Sequence, residues 1–510
     1  MATIIGLDFG NFNSVPCFIP GFQEKNRISG EVHDLLPPTA DNRFGIPSVY
    51  FYSKKTGPIL GAQALKTRAR PPENRLRYLK RRLYEEVTLD GRKIPMGEAI
   101  TEVIQYVVRE ANKQLSAGWQ ETTNEISLAY PAGFTYEDRQ YLVKLAEKAT
   151  LADGRNLHVY GTIAEPAAAA LDYLARENPG KADTSTVLTF DLGGGTFDLS
   201  LVAVNPSGWK RKDGSRYYYQ VIGSDGLNDL GGVDFDRALL KLALIGLDKP
   251  PVSSAKTRLE QEIEGYKVDL SESESVDIEV GDEDIVTVTR KEFETVTRPM
   301  LERILLFTRE FLSRYPNQQP ERIVLTGGAS QMPMILSAME EAFPRYHGKI
   351  IAHKPGMAIA FGAARFGTAE PSADAADSAQ AVRSVIVTTT TRDLGILCSG
   401  DVVSYIVPAG TALPYDSGYK RTATPWETDC LSYQVYEANG VNPDPKKPFE
   451  DYHQILRQDI FFGEKKPENY EVLARITLDA RGLLTEYVKD AHDGHPIEVH
   501  QQAMLPQLQD

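Results

Sequence analysis

The chain has 510 residues, of which 42% are hydrophobic and 25% charged, the make-up of an ordinary globular protein, and its length calls for about three domains rather than one core. With 56 Lys and Arg against 70 Asp and Glu, the net charge is −14; such a field repels phosphate, which excludes a general nucleic-acid binder or anionic-membrane binder while allowing one local basic pocket. Cys17, Cys398 and Cys430 are far apart and form no C-x-x-C, so neither a disulfide framework nor a zinc ribbon is supported and reduced thiols are expected.

At the N-terminus no Lys or Arg precedes Ile4-Ile5, and Asp8 soon interrupts the apolar run, which does not fit a signal peptide. No segment approaches the roughly 20 apolar residues of a membrane helix. A cytoplasmic location is expected.

In chain order, Ile4 to Asn11 reads as a short apolar strand ending in Asp8 and a glycine turn, and Val15 to Ile19 as its return. Ile100, Val103, Ile104, Val107, Val108, Ala111 and Leu115 share one helix face. Val187 to Asp198 repeats the strand, Asp and glycine-turn pattern as V-L-T-F-D-L-G-G-G-T-F-D, and Leu199 to Val204 returns. Leu259, Ile263, Tyr266 and Leu270 form a second amphipathic face. Ile323 to Leu325 is a buried-looking strand running into Gly327-Gly328, with a helix opening at Met332-Pro333. This alternation predicts α/β architecture. The small, polar stretch from Thr368 to Arg383 reads as a linker.

Beyond it the period changes to two. Tyr470, Val472, Ala474, Ile476 and Leu478 alternate, Asp479 to Gly482 supplies a turn, and Leu483 to Val488 returns; Leu431, Tyr433 and Val435 alternate likewise. The last part is expected to be a separate β domain, with Asn442 to Pro448 as a loop. His492, His495 and His500 lie in a polar stretch with no nearby Cys and read as surface histidines rather than a metal site.

The chain has no G-x-x-x-x-G-K-[ST], H-E-x-x-H or G-x-S-x-G. Its chemistry lies in the two Asp hairpins. Glycines let backbone N–H groups approach phosphate oxygens, a strand-end Asp can hold hydrated Mg²⁺, and three consecutive glycines weaken a strand unless their backbone is needed. Gly-Gly at the later strand-to-helix corner permits flat contact with a purine or ribose. Taken singly, each is also compatible with a plain turn.

Together, Gly6 to Ser14, Leu76 to Arg81, Tyr130-Pro131-Ala132 with Arg139, Ala164 to Ala170, D-L-G-G-G-T-F-D with Leu230 to Asp236, and Thr326 to Pro333 resemble the actin and sugar-kinase ATPase superfamily. More closely they resemble the seventy-kilodalton heat-shock chaperone family. The resemblance implies an actin-like two-lobed ATPase domain over residues 1–370, a linker over 371–391 containing Val385-Ile386-Val387, and a smaller β-sandwich, peptide-binding-like domain over 392–510. The family's helical lid is expected to be missing, since the chain stops at Asp510. The implied activity is ATP hydrolysis coupled to binding of unfolded or extended peptide, with ATP or ADP and Mg²⁺ as ligands. The alternatives are a nucleotide-switched partner binder with little hydrolysis and a small-molecule kinase of the superfamily.

By the same resemblance, Asp8 and Asp191 are the metal-side carboxylates, and Lys80, Glu165, Asp191 and Asp198 carry catalysis, which of them is the base being left open. Gly10, Asn11, Gly193, Gly194, Gly195 and Thr196 face phosphate, Gly231 and Gly232 the phosphates or ribose, and Lys267, Gly327, Gly328 and Ser330 the nucleoside. Asn11-Phe12 replaces two threonines of the family, Gln331 an arginine stacked on adenine, Val268 a basic residue and Gly356 an acidic one. Losing the arginine stack is expected to weaken nucleotide affinity by about 1 kcal/mol. A J-domain co-chaperone and a nucleotide exchange factor are the implied partners, although Gly161 stands at a basic position used towards the former and Thr388 where the linker is usually acidic.

Overall fold

Two antiparallel hairpins organise the first part of the chain. In one, Ile5–Phe9 pairs with Asn13–Phe18, Asp8 opposite Val15; in the other, Ser185–Leu192 pairs with Phe197–Lys210, Asp191 opposite Asp198. The computed structural model describes residues 3–20, 31–38, 45–66, 71–177, 184–210, 216–245, 247, 252–280, 284–353, 356–369, 386–387, 390, 392–398, 402–408, 411, 413, 415–424, 426–438, 444–478, 484–497 and 499–502. They group into two units: Met1–Gly133, Lys144–Tyr219 and Ser224–Ile386 form the first, and Phe134–Val143, Gln220–Gly223 and Val387–Asp510 the second.

Each hairpin of the first unit is extended on the same side by parallel strands. Glu125–Tyr130 lies parallel to Ile5–Phe9, and His158–Ala164 parallel to Glu125–Tyr130. Likewise Arg322–Thr326 lies parallel to Ser185–Leu192, and Ile350–Ala352 beyond it. The two sheets therefore repeat one topology, with Asp8 and Asp191 at equivalent strand ends. The helix over Met96–Trp119 buries the seven apolar residues of its predicted face, and Leu259, Ile263 and Leu270 are buried on Ser253–Glu272.

Small residues allow two helices to cross closely. A Cβ on Gly362, in the helix Ala358–Ala369, would lie 1.8 Å from the carbonyl oxygen of Ala168 in the helix Glu165–Glu177. A Cβ on Gly6 would lie 2.1 Å from the backbone nitrogen of Ala364, so the same helix also rests on the first strand. The Ala167 to Ala170 run supplies the facing surface, all four residues being buried. Just past the crossing, fully buried Asp172 receives Arg365 and Arg176, each at 2.9 Å, and faces the His353 ring at 3.1 Å.

The second unit contains two antiparallel sheets. One orders Val402–Val407, Leu394–Cys398, Thr428–Ala438, Tyr452–Lys466 and Val499–Gln502; the other has Glu471–Leu478 at its centre, paired with Tyr415–Asp416, Lys420–Ala423 and Leu484–Asp490. Val435, Leu456 and Ile460 from one sheet share a core with Val472, Ile476, Leu484 and Val488 from the other, which makes a β-sandwich. The expected period of two from Tyr470 is present in Glu471–Leu478, whose even-numbered residues are buried. Residues 479–482, where a turn was expected, Leu483 at the start of the returning strand, and most of the linker, Val385 included, lie outside the described residues; Ile386–Val387 is a two-residue strand. His492 stacks on Tyr470, ring centroids 5.0 Å apart.

Two buried acids give opposite expectations. Burial works against the charge of Asp172, but His353, Arg365 and Arg176 outweigh it and hold the carboxyl at about 2. This stabilisation is complete above the ordinary carboxylate range and is lost as pH falls through about 2. Asp172→Asn should destabilise the first unit at pH 7 by about 3 kcal/mol, because Arg365 stays buried without its counter-charge; a shift in denaturant midpoint worth under about 1 kcal/mol would refute the assignment. Glu486 points inward with Leu484 and Val488, neither of its oxygens having a hydrogen-bond partner among the described residues. Burial alone raises its carboxyl to about 8. The folded form thus keeps a proton that the unfolded chain releases above about 4.5. The second unit should lose a few kcal/mol of stability, about 1.4 per pH unit, as pH rises from 5 to 8. Urea midpoints across that range should fall in the wild type and stay nearly flat in Glu486→Gln; a flat wild-type profile would contradict this.

Candidate functional site

The first hairpin turns tightly because a Cβ on Gly10 would lie 2.2 Å from the carbonyl oxygen of Asn13. Asp8 stands at the end of its first strand. Further along, Tyr78 takes a left-handed backbone, φ 59°, immediately before the single turn Leu79–Arg82. That turn carries Lys80 inward, where the residue is 4% exposed although its neighbours in sequence, Arg81 and Arg82, are also basic. Its ammonium ion-pairs with Glu165, the first residue of Glu165–Glu177 and itself buried. The Lys80 ammonium also lies 5.9 Å from the ring centre of Phe9, beside Asp8.

The second hairpin contributes Asp191 and Asp198 from facing strands, 2% and 0% exposed. The Gly133 N–H donates to one Asp198 oxygen at 3.1 Å; among the described residues the other has no hydrogen-bond partner, and neither does one oxygen of Asp191. Glu165, Asp8 and Asp198 thus gather around one ammonium, and Asp191 is close enough to feel the same three acids. Burial and the Glu165 charge raise Asp8 to about 7, Lys80 opposing them. Burial and Glu165 also raise Asp198 to about 7, against the Thr196 hydroxyl, the Gly133 N–H and Lys80. Asp191 is pushed well above the carboxylate range by burial, then by Glu165, Asp198 and Asp8. Burial disfavours the Lys80 charge, but Glu165, Asp8 and Asp198 outweigh it and raise its pKa.

Fully ionised, these acids would carry more negative charge than Lys80 alone can balance, which on top of burial is why their carboxyls are pushed up and why the donor set suits a cation. Among the described residues no three His, Cys, Asp or Glu side chains converge closely enough to ligate an ion directly. Hydrated Mg²⁺, which keeps several waters and needs only one or two carboxylates, fits this donor set.

The glycines bring backbone against backbone around these acids. A Cβ on Gly194 would lie 1.9 Å from the Phe12 ring, one on Gly195 2.1 Å from the Asn11 amide, and one on Gly231 2.4 Å from the Gly195 carbonyl carbon. Gly327, at φ +79°, comes so close to the second hairpin that a Cβ would lie 2.4 Å from the Asp191 carboxylate. The Gly10–Asn11 turn and the Gly193–Thr196 turn therefore face each other, with the Gly327 corner behind Asp191.

Several predicted site residues are engaged within the protein. Gly232 and Val233 donate their N–H groups to the carbonyls of Gly193 and Gly194 at 2.9 and 2.8 Å, and Gly231 donates to Asp234. Gly231 and Gly232 thus dock the helix Gly232–Ile245 on the second hairpin. Lys267 pairs with Asp236 at 2.6 Å and donates to the Gly232 carbonyl at 3.2 Å. Ser330 donates its hydroxyl to Gly327, while Gly328 faces open space. Gln331 and Val268 are exposed.

Sequence reasoning missed Arg81, which pairs with Asp234 at 2.9 Å beside the second hairpin, and Asn228, which donates to the Gly133 carbonyl next to the Asp198 contact. The run of basic residues around Lys80 was the available signal for Arg81; nothing local marked Asn228.

The family model described as Hsp70 protein matches residues 79–447, a span that includes Lys80, Glu165, Asp191 and Asp198 and extends into the second unit. Chaperone protein dnaK3 of Synechococcus elongatus is 27% identical over 456 residues, covering 81% of this chain and 55% of the relative. Chaperone protein DnaK of Thermotoga neapolitana is 26% identical over 519 residues, covering 96% and 79%. The chain thus spans about half the length of the first of these relatives. No described helix is long and apolar enough to cross a membrane. With its model matched across most of the sequence, the chain belongs to the Hsp70 family.

Proposed function

We propose that this chain is an ATP-hydrolysing chaperone whose first unit binds and hydrolyses ATP with Mg²⁺ and whose second unit binds unfolded or extended peptide. The observation that carries the ATPase reading is the buried Lys80–Glu165 pair among Asp8, Asp191 and Asp198, with oxygens left free on the last two. Phosphoryl transfer to water asks mainly for positioning and charge neutralisation. Mg²⁺, when bound, supplies charge neutralisation of the phosphates. Asp8 and Asp191, at the two strand ends, would hold it through water. Glu165 keeps the Lys80 ammonium in place and would order further water. Lys80 supplies a positive side chain among the acids. Asp198, fixed by the Gly133 N–H, orients the attacking water and is the acid best placed to take its proton. Backbone N–H groups of Gly10 to Asn11 and of Gly194 to Thr196 receive phosphate oxygens.

The peptide-binding reading rests on the family and on the two-sheet sandwich. A J-domain co-chaperone and a nucleotide exchange factor belong to the same proposal. A cation at the position of Gly161 would have to share space with Phe366, 3.0 Å from where a Cβ would stand, so any J-domain contact here uses other residues.

The test is calorimetric titration with Mg-ATP followed by single-turnover hydrolysis, with and without an unfolded peptide. Binding at millimolar nucleotide or tighter, with slow hydrolysis, is expected; no binding at all would refute the reading. Lys80→Ala should keep affinity within a few-fold and slow hydrolysis by about 100-fold or more, since the ammonium acts on charge that develops in the transition state. Hydrolysis at the wild-type rate in that variant would remove Lys80 from the mechanism.

A further inference from the structure

Phe12 stands at the tip of the first phosphate hairpin, where its hydrocarbon ring can give a phosphate no hydrogen bond. It nevertheless has three close neighbours. On one side it lies against the second hairpin, so near that a Cβ on Gly194 would sit 1.9 Å from its Cδ2 and 2.2 Å from its Cε2. It also meets Tyr78 edge to face, with centroids 5.1 Å apart at 71°. The Arg77 guanidinium is 5.3 Å from the Phe12 ring centre and 5.4 Å from that of Tyr78. The same guanidinium donates to Glu264 at 3.3 Å, on the helix Ser253–Glu272 that carries Lys267.

These contacts form one continuous chain. It runs from Gly194 on the second hairpin through Phe12 on the first to Arg77, and from there to Glu264. Tyr78 braces it with a left-handed backbone that a bulky residue adopts only when its surroundings require it. The two hairpins and the helix beyond them cannot separate without breaking a ring-on-glycine contact, a cation–π contact or an ion pair. The half-buried aromatic faces give the cation a partly desolvated partner, where such contacts are strongest.

We propose that Phe12 is a positioning residue which, clamped by Arg77 and Tyr78, latches the two phosphate hairpins together and so sets how long a nucleotide stays bound. The inference rests on the nucleotide reading above and adds to it the element that governs release. Departure of a phosphate-bearing ligand then requires the Phe12 ring to leave Gly194, and Arg77 transmits that movement to Glu264. Loss of the cation–π contact alone corresponds to roughly a five- to tenfold faster release, since changes of this kind fall mainly on the off-rate.

The test is stopped-flow displacement of a fluorescent N-methylanthraniloyl ADP by excess ADP, a readout independent of hydrolysis. In Phe12→Thr and in Arg77→Gln, release should be about five- to tenfold faster than in the wild type. The double variant should be no more than about twofold faster than either single one, because both changes break one chain of contacts. Phe12→Leu, which keeps an apolar body against Gly194 but offers Arg77 no π-face, should fall between wild type and Phe12→Thr; together with Arg77→Gln it carries the test should Phe12→Thr fail to fold. Unchanged release in Phe12→Leu and Arg77→Gln, or rate increases that multiply in the double variant, would overturn the latch. A wild-type protein that binds no labelled ADP would overturn the nucleotide reading itself and the latch with it.

Discussion

The burial of Lys80 beside Glu165 is the constraint on which the rest of the first unit turns. A lone ammonium or carboxylate at that depth would be far more stable in water. Each holds the other in place, and Asp8, Asp191 and Asp198 add charge that the pair does not neutralise. Such a cluster is poor as a stabilising device, because buried ion pairs seldom recover their desolvation cost. The surrounding architecture therefore has to hold the acids apart from solvent and from one another. It does so with strand ends, one single-turn helix and one helix start, all of them rigid elements.

Repetition accounts for the geometry. Both sheets of the first unit carry an antiparallel hairpin flanked by parallel strands, which sets Asp8 and Asp191 at matching positions. Small residues then draw the parts together: Gly362 against Ala168 at the helix crossing, Gly6 against Ala364, and Gly194 and Gly195 against Phe12 and Asn11. A Cβ at any of these positions would overlap a neighbouring atom. The glycines of the D-L-G-G-G-T-F-D turn thus serve packing between the hairpins as well as the approach of a ligand, and helix Gly232–Ile245 takes two of that turn's carbonyls as its N-terminal acceptors.

Much of this was legible locally. Period 3.6 marked the Met96–Trp119 face, period two the Glu471–Leu478 strand, and Asp followed by glycine marked both hairpins. That Asp8, Lys80, Glu165, Asp191 and Asp198 are considered together came from the order of motifs shared with a known family, not from any local pattern. What could not be read was pairing across long stretches of chain. Nothing near Asp172 announces Arg365, 193 residues away, and nothing near Arg77 announces Glu264, 187 residues away. The same limit holds for Gly231, Gly232 and Lys267, whose residue types suit ligand contacts. Their N–H groups and ammonium also bond within the protein, to Asp234, Gly193 and Asp236, which nothing nearby in sequence announces for Lys267. Residue type constrains what a group can do; only the fold decides which partner reaches it first.

Two of the buried charge groups in the first unit, around Asp172 and around Lys80, differ in how their charges are met. Asp172 meets Arg365 and Arg176, with His353 as a third polar neighbour; the local positive charge meets or exceeds the negative, and the carboxyl is held low at about 2. Between the hairpins the balance is reversed. Asp8, Glu165 and Asp198 share Lys80, Asp191 adds to the crowding of acids, and Asp8 and Asp198 are pushed up to about 7. The Asp172 cluster sits where two helices cross and has its charges satisfied internally, as an element that holds the fold should. The cluster between the hairpins sits at strand ends beside backbone turns, with oxygens of Asp191 and Asp198 that have no hydrogen-bond partner among the described residues. Uncompensated charge of this kind is costly to bury, and strongly perturbed acids that gather at one place are candidates for a functional site. The acids between the hairpins meet that description, while the charge of the equally buried Asp172 is met by Arg365 and Arg176.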